Sequence, residues 1–227
     1  MTPGLFRQTF EVLRKDLLLE WRTRARLNAL LFFALSTLLL FSFALGPDAN
    51  VLRHSAAAYL WLAILFASVL ALAESFRVEQ ENSSLDGLRL IPVDSRALFL
   101  GKAIGNSLLL MGLCAVITPV MAALYGTHLA LTPGHLVLVL VLGCLAISAP
   151  GTLYAAIASF ARARDVLLPV LLFPVLVPAL LSSVKATALA LEGDPMNQYA
   201  SWVALLGSFN LLYWALGFAL FPRVIEE

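Results

Sequence analysis

The chain has 227 residues, 61% of them hydrophobic and 13% charged, with a formal net charge of +1. A soluble domain carries about 25% charged residues. The charges here are confined to short stretches between long apolar ones, which excludes an ordinary globular enzyme and gives no reason to expect a nucleic-acid partner.

In chain order, residues 1–26 form a cytoplasmic segment. An amphipathic helix is expected over residues 5–24, with Leu5, Phe6, Phe10, Leu13, Leu17 and Trp21 on its apolar face. Arg7, Glu11, Arg14, Lys15 and Arg22 supply the polar face. Such a helix lies in the membrane interface, as an anchor or as a contact to a cytoplasmic partner. The first apolar run begins only near Leu27, and Glu11, Asp16 and Glu20 precede it, so no cleavable leader is expected.

Six apolar runs then reach spanning length, at about 27–45, 56–73, 103–125, 135–160, 166–184 and 201–221. The first stops at Gly46-Pro47, and Asp94 or Ser95 is placed to cap the third. Thirteen of the fifteen Lys and Arg residues fall in residues 1–26, in the segments after spans two and four, and in the tail. The positive-inside rule therefore puts both termini in the cytoplasm. Tyr59, Trp61, Tyr125, Tyr199 and Trp202 cluster near the predicted outer interface, as an aromatic belt or a substrate platform. Cys114 and Cys144 sit in apolar stretches and read as packing residues.

The segment from Glu74 to Lys102 reads as the main cytoplasmic loop. Its first part is strongly polar. Residues 85–92 then form a short helix with an apolar edge, Leu85, Leu88, Leu90 and Ile91, ended by Pro92. This suits docking into a partner's groove; the alternative is a solvated connection. Glu79, Glu81, Leu85, Asp86, Gly87 and Leu88 are the candidate coupling residues.

No phosphate-binding G-x-x-x-x-G-K-[ST] loop occurs, and neither H-E-x-x-H, G-x-S-x-G nor C-x-x-C is present. No catalytic residue is assigned, and the chain reads as a non-enzyme. No ionisable residue is expected deep in a span, which argues against a self-powered secondary transporter. A permease driven by a separate ATPase is the remaining reading.

Several residue runs resemble the CcmB family, the six-span permease of the ABC-type haem exporter of cytochrome c maturation. They are Lys15-Asp16-Leu17 with Glu20 and Arg22; Phe76, Glu79, Glu81, Leu85, Leu88, Pro92-Val93 and Gly101-Lys102; Gly151-Thr152; Arg162-Ala-Arg164; the run from Leu167 to Pro178; and Lys185-Ala-Thr187. The sequence departs from the family pattern at residues 82–84, where Asn82-Ser83-Ser84 follows Glu81. The resemblance implies an all-α, ABC-2-like exporter fold in a bacterial inner membrane: six spans, the interfacial N-terminal helix and a cytoplasmic coupling helix. It implies a homodimer working with an ATPase subunit of CcmA type. Membrane subunits of CcmC and CcmD type and a haem chaperone of CcmE type would stand beside it. ATP would bind the partner, and haem is a candidate cargo rather than a resident cofactor. A permease for a lipid, glycan or drug, or a membrane scaffold, are the alternatives.

Within that frame, Pro169, Pro174 and Pro178 in one span mark a fixed bend or a hinge. Gly151 would admit a close helix neighbour. His54, His128 and His135 map to the outer side. His128 and His135 are weak candidates for haem ligands, the alternative being interfacial histidines. Asn106, Ser107, Thr118, Ser148, Ser208 and Asn210 are expected to join helices by hydrogen bonds.

Overall fold

A computed structural model of the chain describes residues 4–22, 25–81, 94–129, 132–159 and 164–226. Among these residues there are seven helices and no strand. They are α1 (Leu5–Arg22), α2 (Ala25–Leu45), α3 (Ala49–Glu81), α4 (Ser95–Tyr125), α5 (Pro133–Ser159), α6 (Arg164–Glu192) and α7 (Tyr199–Glu226). The helices α2 to α7 are each long and apolar enough to cross a membrane, as the sequence predicts. The chain is a multi-pass membrane protein.

Every spanning helix begins at or before the start of its apolar stretch, and α3, α6 and α7 also run on past its end. A backbone in hydrocarbon must satisfy its own N–H and C=O groups, so the helix persists until water or a cap takes over. The largest extension is α3, which continues through Glu81. The polar stretch from Glu74, expected as a loop, is therefore helical up to Glu81, and Phe76 within it is buried. Asp94 caps α4 as anticipated, its carboxylate accepting from the Arg96 amide at 2.9 Å. At the other end of α4, Gly126 adopts φ +66° and its N–H closes on the Ala122 carbonyl. Gly46, with φ +75°, ends α2 at the expected place.

The helices α3 and α5 form the middle of the bundle, and α2 and α7 flank it with wide exposed faces. The middle is held by size complementarity. A Cβ on Gly143 of α5 would fall on the indole of Trp61, and one on Gly151 would fall on Leu72, both from α3. Gly217 of α7 similarly receives the ring of Phe99. Such close approach yields dense van der Waals contact, the main attraction between helices in lipid.

Trp61 is 1% exposed, and its Nε1–H donates to Thr187 Oγ1 of α6 at 2.9 Å. Tyr125 is equally buried, and its hydroxyl donates to the Leu38 carbonyl of α2 at 3.0 Å. These two rings do not belong to an interfacial belt, contrary to the sequence expectation. Each finds its polar partner inside the protein, so neither needs the headgroup layer. Tyr59, Tyr199 and Trp202 are half-buried, and Tyr59 stacks on Phe41 at 4.4 Å.

The mid-span polar residues divide into three groups. Asn106 donates to Thr152 Oγ1 at 3.0 Å, Ser148 to the Ala103 carbonyl, and Asn210 to the Leu142 carbonyl, so these three join helices. Ser107 and Ser208 bond carbonyls of their own helices. Thr118 is buried, and its hydroxyl has no hydrogen-bond partner among the described residues. Cys114 and Cys144 face each other as buried free thiols, 3.4 Å between sulfurs.

Candidate functional site

The helix α1 has three faces, where the sequence suggests two. Phe6 is 90% exposed and Phe10 61%, with Leu17 and Leu18 beside them, and this face is free to enter the acyl boundary as predicted. The missed face is the row Gln8, Val12, Asp16 and Glu20, four residues apart and therefore aligned. It turns towards the bundle. Gln8 is buried and its Oε1 accepts from the Asp94 amide at 2.9 Å. Val12 packs on Gly101 of α4 so closely that a Cβ there would lie 2.7 Å from Val12 Cγ1.

Below Gly101 lies Lys102, counted in the sequence among the loop cations but only 2% exposed. Its ammonium donates to the Ser75 carbonyl of α3 at 3.0 Å and reaches Asp16 of α1 at 3.4 Å. It also stands 4.8 Å from the ring centre of Phe76, a cation–π distance. Arg26, at the head of α2, pairs with Glu20 at 2.7 Å and donates to the Ala71 carbonyl of α3 at 2.5 Å. Four helices are thus joined by charge-assisted bonds at one end of the bundle. Asp16, Glu20, Gly101 and Lys102 all belong to the runs that carry the family resemblance. Their proximity was hidden because 86 residues separate Asp16 from Lys102. The only sequence signal was the four-residue row on α1.

Burial pushes the Glu20 carboxyl above its usual 4.5, against the opposing pull of Arg26; Asp16 and Glu74 add to the rise. The folded protein therefore binds a proton at Glu20 more readily than the unfolded chain. That contribution is fully present below about pH 4.5 and is lost as pH rises through the folded value. Docking of α1 is expected to be firmer at pH 5 than at pH 7.5. Hydrogen exchange over residues 5–22, corrected for intrinsic rates, should slow at the lower pH. In Glu20→Gln the difference should vanish; a variant that keeps it would place the titration elsewhere.

The other predicted residues fall as follows. Glu79 and Glu81 lie on the last turn of α3, with side chains outside the described set, and Leu85, Asp86, Gly87 and Leu88 lie outside the described residues. Pro169, Pro174 and Pro178 are all inside α6, which runs on through them. Pro174 and Pro178 are exposed and Pro169 half-buried. The Ser182 hydroxyl donates to the Pro178 carbonyl at 2.7 Å. At the opposite end of the bundle His128 is exposed. His135, also exposed, stacks on Tyr199 at 4.3 Å, and the Tyr199 hydroxyl donates to the His135 carbonyl. His54 pairs with Glu192 at 3.0 Å. No group of three His, Cys, Asp or Glu able to hold a metal ion occurs among the described residues.

Comparison with known proteins covers the same extent as the bundle. The family described as CcmB protein matches residues 7–224. The chain is similar to Heme exporter protein B of Pseudomonas aeruginosa, 31% identical over 88% of this chain and 89% of that protein. It is 28% identical to Heme exporter protein B of Bradyrhizobium diazoefficiens, over 91% of each chain. The protein of the same name from Rhodobacter capsulatus is 33% identical over 80% of this chain and 83% of its own. A match from the interfacial α1 to the last turns of α7 makes this chain a member of the CcmB family.

Proposed function

We propose that this chain is the membrane permease subunit of a haem exporter serving cytochrome c maturation. The observation that carries the reading is the nearly full-length match to the CcmB family and to relatives named Heme exporter protein B. The bundle supports it with six spanning helices and a charged end in which α1, α2, α3 and α4 are tied together. ATP hydrolysis is assigned to a separate CcmA-type subunit, docked at this charged end. Partners of CcmC, CcmD and CcmE type, and a second copy of the chain, complete the assembly. The bias of basic residues towards this end supports placing it, with both termini, on the cytoplasmic side of a bacterial inner membrane.

Deleting the gene should abolish haem-stained c-type cytochromes, and the chain supplied in trans should restore them. Normal cytochrome c levels in the deletion strain would point to a permease for another cargo. His128 and His135 remain proposals as haem ligands. Haem iron takes one or two axial ligands, so each can be tested singly by Ala replacement and the Soret band of added haem.

The helix α6 is proposed as the hinge. Three prolines each remove an i to i−4 hydrogen bond, and the freed carbonyls loosen the helix locally. Pro174 is exposed, so Pro174→Ala should leave insertion and yield unchanged. It should lower cytochrome c maturation several-fold. Loss of yield in step with maturation would make the prolines a structural bend only.

A further inference from the structure

Between α1, α2, α3 and α4 the charged end frames an open pocket of about 320 Å³, lined by Asp16, Glu20, Arg26, Glu74, Lys102 and Asn106. A second cavity of about 330 Å³ follows along α2 and α4, lined by Leu30, Leu31, Leu113 and Val116. Leu27, Leu109 and Gly112 line both, so the two form one groove with a charged head and an apolar tail. From Leu108 to Val116 the groove follows roughly 12 Å of helix rise. Its charged head lies beside α1, whose exposed Phe6, Phe10 and Leu17 suit the acyl boundary.

We propose that this groove binds a phospholipid whose headgroup is zwitterionic and ends in a primary amine, the chemistry of phosphatidylethanolamine. Among the described residues, the head carries three cationic side chains, Lys15, Arg26 and Lys102, and three anionic ones, Asp16, Glu20 and Glu74. A headgroup with one charge of each sign matches that balance, whereas a purely anionic one does not. At this head two buried atoms, Arg26 Nε and Glu20 Oε1, have no hydrogen-bond partner among the described residues. A buried polar atom left unpaired is costly. A phosphate would accept from Arg26 Nε–H, and an ammonium N–H would donate to Glu20 Oε1. A trimethylated choline has no N–H to give, so the pair of atoms distinguishes ethanolamine from choline. The apolar walls take one acyl chain.

The test is native mass spectrometry of the full chain in detergent, titrated with dioleoyl phosphatidylethanolamine, phosphatidylcholine or phosphatidylglycerol. A first ethanolamine lipid should bind about tenfold more tightly than either of the others, about 1.4 kcal/mol. Gly112→Phe should weaken it by about tenfold or more, since the phenyl ring fills the shared part of the groove. A Cβ at Gly112 meets no atom within 4 Å, so the substitution brings no clash at the backbone. Val116 is 49% exposed, and Val116→Trp blocks the apolar tail independently of the charges. Glu20→Ala, which leaves no acceptor at that position, should bring the ethanolamine and choline lipids to similar affinity. Equal binding of the three lipids by the wild-type chain would overturn the proposal. So would wild-type ethanolamine affinity in folded Gly112→Phe and Val116→Trp. A lipid-free dimer whose formation Gly112→Phe abolishes would instead make the groove a contact between copies.

Discussion

Gly143→Leu should prevent the protein from surviving detergent extraction as a monodisperse species. The new side chain would enter the space held by the Trp61 indole. Trp61 cannot swing aside without leaving Thr187 Oγ1, and it is enclosed on all sides. Overpacking of this kind costs about 1–3 kcal/mol, occasionally more. A buried indole N–H left unpaired adds about 1–3 kcal/mol. The combined loss, roughly 2–6 kcal/mol, is comparable with the margin of a typical native fold. Fluorescence-detected size exclusion after heating reads the effect. Gly207→Leu is the control, because a Cβ at Gly207 meets nothing within 4 Å. A wild-type melting profile for Gly143→Leu would mean that α3 and α5 can separate freely.

The second large effect is expected on partner binding. If the proposed ATPase subunit docks on the segment between α3 and α4, Leu85→Asp combined with Leu88→Asp should abolish its co-purification, while Glu79→Gln should weaken it slightly. The segment lies outside the described residues, but the helices on either side of it are fixed. The Lys102 ammonium of α4 holds the Ser75 carbonyl of α3, and Gln8 of α1 holds the Asp94 amide. A contact made by residues between Glu81 and Asp94 can therefore pull on α1, α3 and α4 together. Burying two leucines contributes on the order of 3–6 kcal/mol before ordering costs. A rim carboxylate contributes about 1 kcal/mol or less. Retention of the ATPase at wild-type yield by the double variant would move the coupling contact to α1.

The spans were legible because hydrocarbon selects for one property, apolarity over a fixed length, that is written locally in the chain. Their polar ends were not, since the third helix continues from Glu74 to Glu81 through residues that hydropathy assigns to a loop. Trp61 and Tyr125 were misread for a related reason. Their depth suggested an interface, and only the distant Thr187 and Leu38 show that their polar atoms are satisfied internally. Lys102 was the larger omission. Counting cations to orient the spans treats each as solvated, whereas this one is buried by Asp16, Ser75 and Phe76 from two other helices. Gly151 and Thr152, quoted for the resemblance, acquire a physical reason: one admits Leu72 and the other accepts from Asn106.

The order in which these bonds become available has a consequence for biosynthesis. The ionic partners Asp16, Glu20, Arg26, Ala71, Ser75 and Lys102 all lie within the first half of the chain. They can meet as soon as the fourth helix begins to emerge from the ribosome. Trp61 must instead wait for Thr187, which is synthesised 126 residues later. At about 5–20 residues per second the wait is roughly 6–25 s. During that interval the nascent chain can have its charges settled while its largest indole is still unpaired. A ribosome stalled after α4 should then already protect α1 from protease, whereas Trp61 should remain open to quenchers dissolved in the bilayer.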